Sequence, residues 1–207
     1  MSISIKKLLE INRLIDFQRL KWSEKPTTNS EGVYIVSLSD DPHANNNKCI
    51  HAPISKDIIE KWINKVNGFE IDKQMTFDSD IVIERLSKFW LPNENILYIG
   101  KGPIRSNGKA LDNRINEFYK TEYGEKRPHA GGHWIKSLSK LDDLFVYAIP
   151  CDEPGAVEIK MLEYFIANVS VIPQNQFLDP NLCLPFANLQ LTPSKKKKHG
   201  LGKMKKR

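Results

Sequence analysis

Apolar residues recur along this chain in two rhythms, and the rhythm sets the first expectation for each segment. From 4 to 21, Ile5, Leu8, Leu9, Ile11, Leu14, Ile15 and Phe17 fall at helical intervals among Lys, Glu and Arg. That spacing predicts an amphipathic N-terminal helix, ending before Pro26 and covering one side of a sheet. The run GVYIVSL at 32–38 is apolar on both faces and is followed by Ser39, Asp40 and Asp41. A strand with water on one side would alternate, so this run predicts a central strand. ILYIG at 96–100 and LFVYAIP at 144–150 have the same character, one stopping at a glycine and the other at a proline.

Helical spacing returns between the second and third strands, first over about 109–121 and then after GGHW, where Trp134, Ile135, Leu138 and Leu141 line up. Glu153-Pro154 opens a strongly apolar helix to about 169, because proline is tolerated in a first turn. The segment 39–94 separates the first two strands and predicts helices near 55–66 and 78–89, each opened by a capping residue. The expected fold is therefore α/β: a small three-stranded central sheet flanked by helices, with an N-terminal helix and a helical insertion at 39–94. One domain is expected over 1–194.

At 207 residues, 40% hydrophobic and 27% charged, the chain has enough apolar content for one real core. No stretch approaches the roughly 18 apolar residues of a membrane span, and charges interrupt the N-terminus where a secretory leader would be apolar. A cytoplasmic protein that does not engage a membrane is expected. Cys49, Cys151 and Cys183 are odd in number and far apart, which supports neither a disulfide framework nor a four-cysteine zinc site. The cluster His43, Cys49, His51 matches no zinc spacing and lies in an Asn-rich, loop-like stretch.

The net charge of +6 is unevenly placed. KKKKHGLGKMKKR at 195–207 holds 8 of the 31 basic residues and no acid, leaving 23 against 25 elsewhere, a net of −2. Such a run reads as a solvated, unfolded extension that can neutralise phosphates. A second excess, 9 Lys or Arg against 4 acids from Lys101 to Lys140, falls inside the folded region, where it can orient a backbone. The insertion, with 10 acids against 7 basic residues, is not expected to carry the main phosphate contacts.

These strands contain GVY (Gly32, Val33, Tyr34) and YIG (Tyr98, Ile99, Gly100). YIG is followed by Lys101, then by LDNRINEFY with Arg114, then by VEIKMLEYFI with Glu163. Tyr34 or Tyr98 alone would pass for a core side chain. The ordered set resembles the GIY-YIG nuclease superfamily, in particular the nuclease half of the bacterial excision-repair incision subunit, over 31–38 and 96 to about 188. The resemblance implies a metal-dependent endonuclease that hydrolyses phosphodiester bonds in DNA, RNA not being excluded, with Mg²⁺ or Mn²⁺ as cofactor. A compact chain without accessory modules fits a restriction-type enzyme, and two nicks on a duplex would call for a homodimer or for sequential action.

Each implied role has a chemical reason. Glu163 would anchor the cation and Arg114 would grip the phosphate with its planar fork. Tyr34, with Tyr98 and Lys101 beside it, would act as general base or would orient the attacking water. A phenol of pKa about 10 serves as base only if nearby cations stabilise its anion. Lys101, Lys126, Arg127, His133 and Asn188 would contact substrate. Glu158 competes with Glu163, since it falls within the apolar arc of its helix and a buried acid needs a partner. Asn175 competes with Asn188 on spacing.

The chain departs from the family pattern in places. Residues 35–97 separate two tyrosines that relatives join by a short loop. Phe118 stands where many relatives carry a polar ring, unless Tyr119, His129 or His133 replaces it. That departure motivates a second expectation, a catalytically inactive nucleic-acid-binding module with the same fold.

Overall fold

Strand β2 (Gly32–Ser37) is buried at every position and pairs antiparallel on both sides, with β5 (Ile96–Gly102) and with β6 (Phe145–Pro150). Both of its faces are covered, which is why neither alternates with polar residues. The computed structural model describes residues 2–28, 30–46, 49–108, 110–125, 130–169 and 177–202. Among them, six helices and two antiparallel sheets make a mixed α/β fold. No helix in this set is long and apolar enough to cross a membrane.

The main sheet has four strands, one more than expected. The periodic stretch at 4–21 is helical only as α1 (Ile5–Ile11); Arg13 then enters the left-handed region at φ 56°. Gln18–Lys21 form β1, which pairs with β6 at the sheet edge and alternates between half-buried and exposed residues. A continuous helix would have turned Ile15 toward the core, whereas Ile15 is 82% exposed. Strand order is β1-β6-β2-β5, so β5 forms the other edge.

The insertion contains both expected helices, α2 (Lys56–Val66) and α3 (Ser79–Ser87). Ser55 Oγ accepts from the Ile58 N–H, and the Asp78 carboxylate accepts from the Asp80 N–H. Between them lies an unexpected hairpin of β3 (Phe69–Ile71) and β4 (Gln74–Thr76). Its turn residues Asp72 and Lys73 both have positive φ, the twist that suits a two-residue hairpin, and Arg85 pairs with the Asp72 carboxylate.

The C-terminal run also departs from expectation. It is docked, and not a free extension, as far as Gly202. Leu201 and Gly202 form β7, which pairs with β3 (Ile71↔Leu201, Glu70↔Gly202). Lys197 is only 3% exposed. Charge counting treats every lysine as solvated, yet the aliphatic stem of a lysine packs like any apolar chain once its ammonium finds acceptors. Residues 203–207 lie outside the described residues.

Three helices complete the fold: α4 (Leu111–Lys120), α5 (Ala130–Lys136) and α6 (Pro154–Asn168). Both α4 and α6 pack on β2 and β5, which brings their side chains over the two tyrosine-bearing strands.

Candidate active site

Antiparallel register sets Tyr34 of β2 opposite Gly100 of β5, which makes Tyr98 its diagonal neighbour on the same sheet face. Their ring centroids are 5.6 Å apart. Phe118 of α4 stacks on Tyr98 at 5.1 Å and meets Tyr34 edge-on at 5.7 Å. Gly100 makes the pairing possible, because a Cβ there would lie 2.5 Å from the Tyr98 ring and 2.8 Å from the Tyr34 ring. Gly100→Ala is therefore expected to cost roughly 1–3 kcal/mol, read as a lower urea midpoint. An unchanged midpoint would show that the rings do not converge on this glycine.

Tyr34 is fully buried. Burial pushes its hydroxyl well above the ordinary phenol value; the Tyr98 phenol adds to this, and Arg114 opposes it. The phenols are close enough to feel each other, but Tyr34 Oη completes no hydrogen bond of ordinary geometry. This environment disfavours the phenolate that a tyrosine base needs, since low dielectric penalises the charged form. Tyr34 also does not line the cleft, so the expected contact of its hydroxyl with the attacking water gives way to a supporting place behind Tyr98. Tyr98 lines the neighbouring cleft, and burial, with the Glu158 charge adding, pushes it up to about 12.

The acid in this cleft is Glu158, not Glu163. Met161, Leu162 and Phe165 form the buried side of α6, and Glu158 precedes them by three, four and seven residues, so it shares their face. Its side chain is 16% exposed and Oε2 lies 2.9 Å from Lys101 Nζ. Burial raises its carboxyl above the ordinary glutamate value, while Lys101 and then Arg114 hold it down. Glu163 falls on the opposite, exposed side of the helix and does not line the cleft. The resemblance that puts Glu163 first is local, resting on Leu162-Glu163 within VEIKMLEYFI, whereas burial follows the helical wheel.

Arg114 sits on α4 over the end of β5. Gly102 permits the close approach, since a Cβ there would lie 2.7 Å from Leu111 Cα and 3.2 Å from Arg114 Cβ. The guanidinium reaches Glu117 at 3.3 Å, and Glu117 also takes a two-pronged contact from Arg105 at 2.6 and 2.7 Å. Arg105, then Arg114, hold the Glu117 carboxyl down at about 2, so it stays ionised and braces Arg114. Neither Arg105 nor Glu117 stands out in the sequence as a site residue. The i,i+3 spacing of Arg114 and Glu117 is the signal that could have found the second of them.

Other expected substrate contacts are placed differently. Asn188 lines the cleft, but its amide is committed: Oδ1 accepts from the Ile99 N–H at 2.9 Å and Nδ2 donates to the Ile99 carbonyl at 2.7 Å. With the Ala187 N–H donating to the Leu97 carbonyl, it caps the open edge of β5 as another strand would. Asn188 is thus a positioning residue, because a buried edge must have its backbone groups paired. His133 is 1% exposed and packs edge-on to Trp62 at 5.5 Å, which removes it from substrate contact. Tyr119 faces Trp22 at 5.0 Å, so neither residue supplies the polar ring missing at Phe118. Lys126, Arg127, His129 and Asn175 lie outside the described residues.

The cleft encloses about 590 Å³. One wall carries Tyr98, Lys101, Arg114 and Glu158; the other is built from residues 187–199, including Lys197 and His199, which charge and composition alone place in a free tail. Lys197 Nζ donates to the carbonyls of Pro185 and Phe186 at 3.0 and 2.8 Å and lies over the rings of Trp134 and Phe89. His199 Nδ1 accepts from the Leu201 N–H at 2.9 Å. Among the described residues no group of three or more His, Cys, Asp or Glu converges. The donor set suits a hard cation held by a single carboxylate and otherwise hydrated, and does not suit a zinc-type cage. Comparison of the chain with protein-family models, with curated proteins and with solved structures returned no match.

Proposed function

We propose that the chain is a metal-dependent endonuclease of the GIY-YIG kind that hydrolyses phosphodiester bonds in DNA. The observation that carries this reading is the meeting of Tyr98, Lys101, Arg114 and Glu158 on one cleft wall, with the Tyr34 ring packed behind Tyr98. Phosphodiester hydrolysis needs charge uptake on the phosphoryl oxygens, donors that fix the phosphate in line, and an oriented water. When bound at Glu158, Mg²⁺ or Mn²⁺ would supply the charge uptake.

The chain's own groups supply the rest. Arg114, already braced by Glu117, presents a planar, pre-oriented guanidinium to the phosphate at little entropic cost. Lys101 pairs with Glu158 and is placed to add positive charge toward the phosphate; Glu158 is the residue that would hold the cation. Tyr98 donates to, or accepts from, the attacking water, and the packed rings of Tyr34 and Phe118 fix its orientation. Phe118 closes the apolar side and keeps bulk water off both phenols.

The test is cleavage of labelled DNA, paired and unpaired, with and without Mg²⁺. Arg114→Ala is expected to cut at least about a hundredfold more slowly, and Arg114→Lys to recover little, because a point charge cannot make the bidentate contact. Unchanged cleavage in both variants would remove Arg114 from the site. The Phe118 departure favours one other reading, a binding module without catalysis. Salt-sensitive binding with no cutting of DNA or RNA under either metal would decide for it.

A further inference from the structure

The far wall of the cleft is a small hairpin that the proposed mechanism does not use. Gln190 and Lys196 pair antiparallel, the Lys197 N–H donates to the Leu189 carbonyl, and the Leu191 N–H donates to the Lys195 carbonyl. Two anchors fix it. Beneath it the Lys197 ammonium is tied to the carbonyls of Pro185 and Phe186, and just beyond it β7 pairs with β3. The hairpin therefore stands as a rigid wall against the cleft, facing the one that carries Arg114 and Glu158.

Its lining is mixed. Lys196, Thr192 and Gln190 offer a cation, a hydroxyl and an amide, while Leu189 and Pro193 offer apolar surface beside the buried Leu191. Phosphates of a paired duplex would use the polar groups and leave the apolar ones wet. An unpaired strand uses both, since its bases and sugars present apolar faces that base pairing and stacking otherwise hide. The size agrees: about 590 Å³ is the scale that takes a small ligand, here one or two nucleotides of a strand.

We propose that residues 189–197 form the second wall of a groove for a single unpaired strand, in which Lys196 and Thr192 hold the backbone phosphate next to the one at Arg114. This rests on the endonuclease reading and names its substrate class. It stands against the restriction-type expectation, which requires an intact duplex.

The test uses Glu158→Gln protein in the full chain, so that substrate is held without being cut, and a fluorescein-labelled oligonucleotide offered single-stranded or as a blunt duplex. Anisotropy is expected to show the single strand bound at least about tenfold more tightly. Lys196→Ser is expected to weaken single-strand binding by about tenfold and to make its salt slope shallower by about 0.7, the value for one neutralised phosphate on an unpaired strand. Lys195→Ser removes the same charge from an exposed neighbour that does not line the cleft, and is expected to change affinity by no more than about twofold. Duplex bound as tightly as single strand, or equal effects of the two lysine substitutions, would overturn this inference and leave the endonuclease reading standing. Binding to neither form would overturn the reading and the inference with it.

Discussion

Glu158→Gln is expected to lower Mg²⁺-dependent cleavage by at least about a hundredfold, while Glu163→Gln cuts at the wild-type rate. The two residues belong to one helix, have the same chemistry and lie five positions apart, so composition and local dipeptides do not separate them. Burial does: Glu158 is 16% exposed and 2.9 Å from Lys101, whereas Glu163 faces solvent away from the cleft. Glutamine keeps the shape of Glu158 and removes the charge, so the change tests the carboxylate and not the packing. Single-turnover rates at saturating protein, with binding followed separately, read the chemical step alone. Equal rates for the Glu158→Gln variant and the unaltered chain would sink the assignment, and a loss confined to Glu163→Gln would restore the acid that the sequence favoured.

Lys197→Ala is expected to cost about 2–5 kcal/mol of stability, because it opens a cavity between Phe89 and Trp134 and strips two carbonyls of their donor. Lys197→Met fills most of that cavity and isolates the charge. Burial lowers the folded-state ammonium to about 7, far below the roughly 10.4 of a solvated lysine. Between these values the unfolded chain binds the extra proton, so the contribution of this group to stability rises with pH across that window and is least favourable below pH 7. Urea midpoints at about pH 6.5, 8 and 9.5 are expected to climb more steeply in the unaltered protein than in Lys197→Met. Parallel slopes would mean that the ammonium is solvated and that it does not pin the C-terminal wall.

Much of this molecule was legible along the chain. The runs at 32–38, 96–100 and 144–150 became strands, and the capped helices at 55–66 and 78–89, together with the apolar helix after Pro154, were found with small boundary shifts. In each case the signal is local. A central strand has two covered faces and so loses its alternation, and a capping side chain reaches only two or three residues ahead. Tyr34, Tyr98, Lys101 and Arg114 could be nominated for the same reason, since neighbouring strands and the helix that follows carry them in order.

What escaped the linear reading depends on partners distant in sequence. Periodicity at 4–21 could not show that Gln18–Lys21 would find an edge of β6, because extended pairing is decided by the strand alongside. Asn188 looks like a ligand until Ile99 is seen to need both ends of its amide. Glu158 and Glu163 differ only in what the helix turns them toward. The largest departure is the basic run: lysines next to one another in sequence are equal in charge, but among the described residues of the run only Lys197 meets two carbonyls and two aromatic faces, and that meeting turns an expected tail into a cleft wall. Backbone propensities act over a few residues and can be read from the chain, whereas the free energy of burying a charged or amide group is set by acceptors that arrive from elsewhere in the fold.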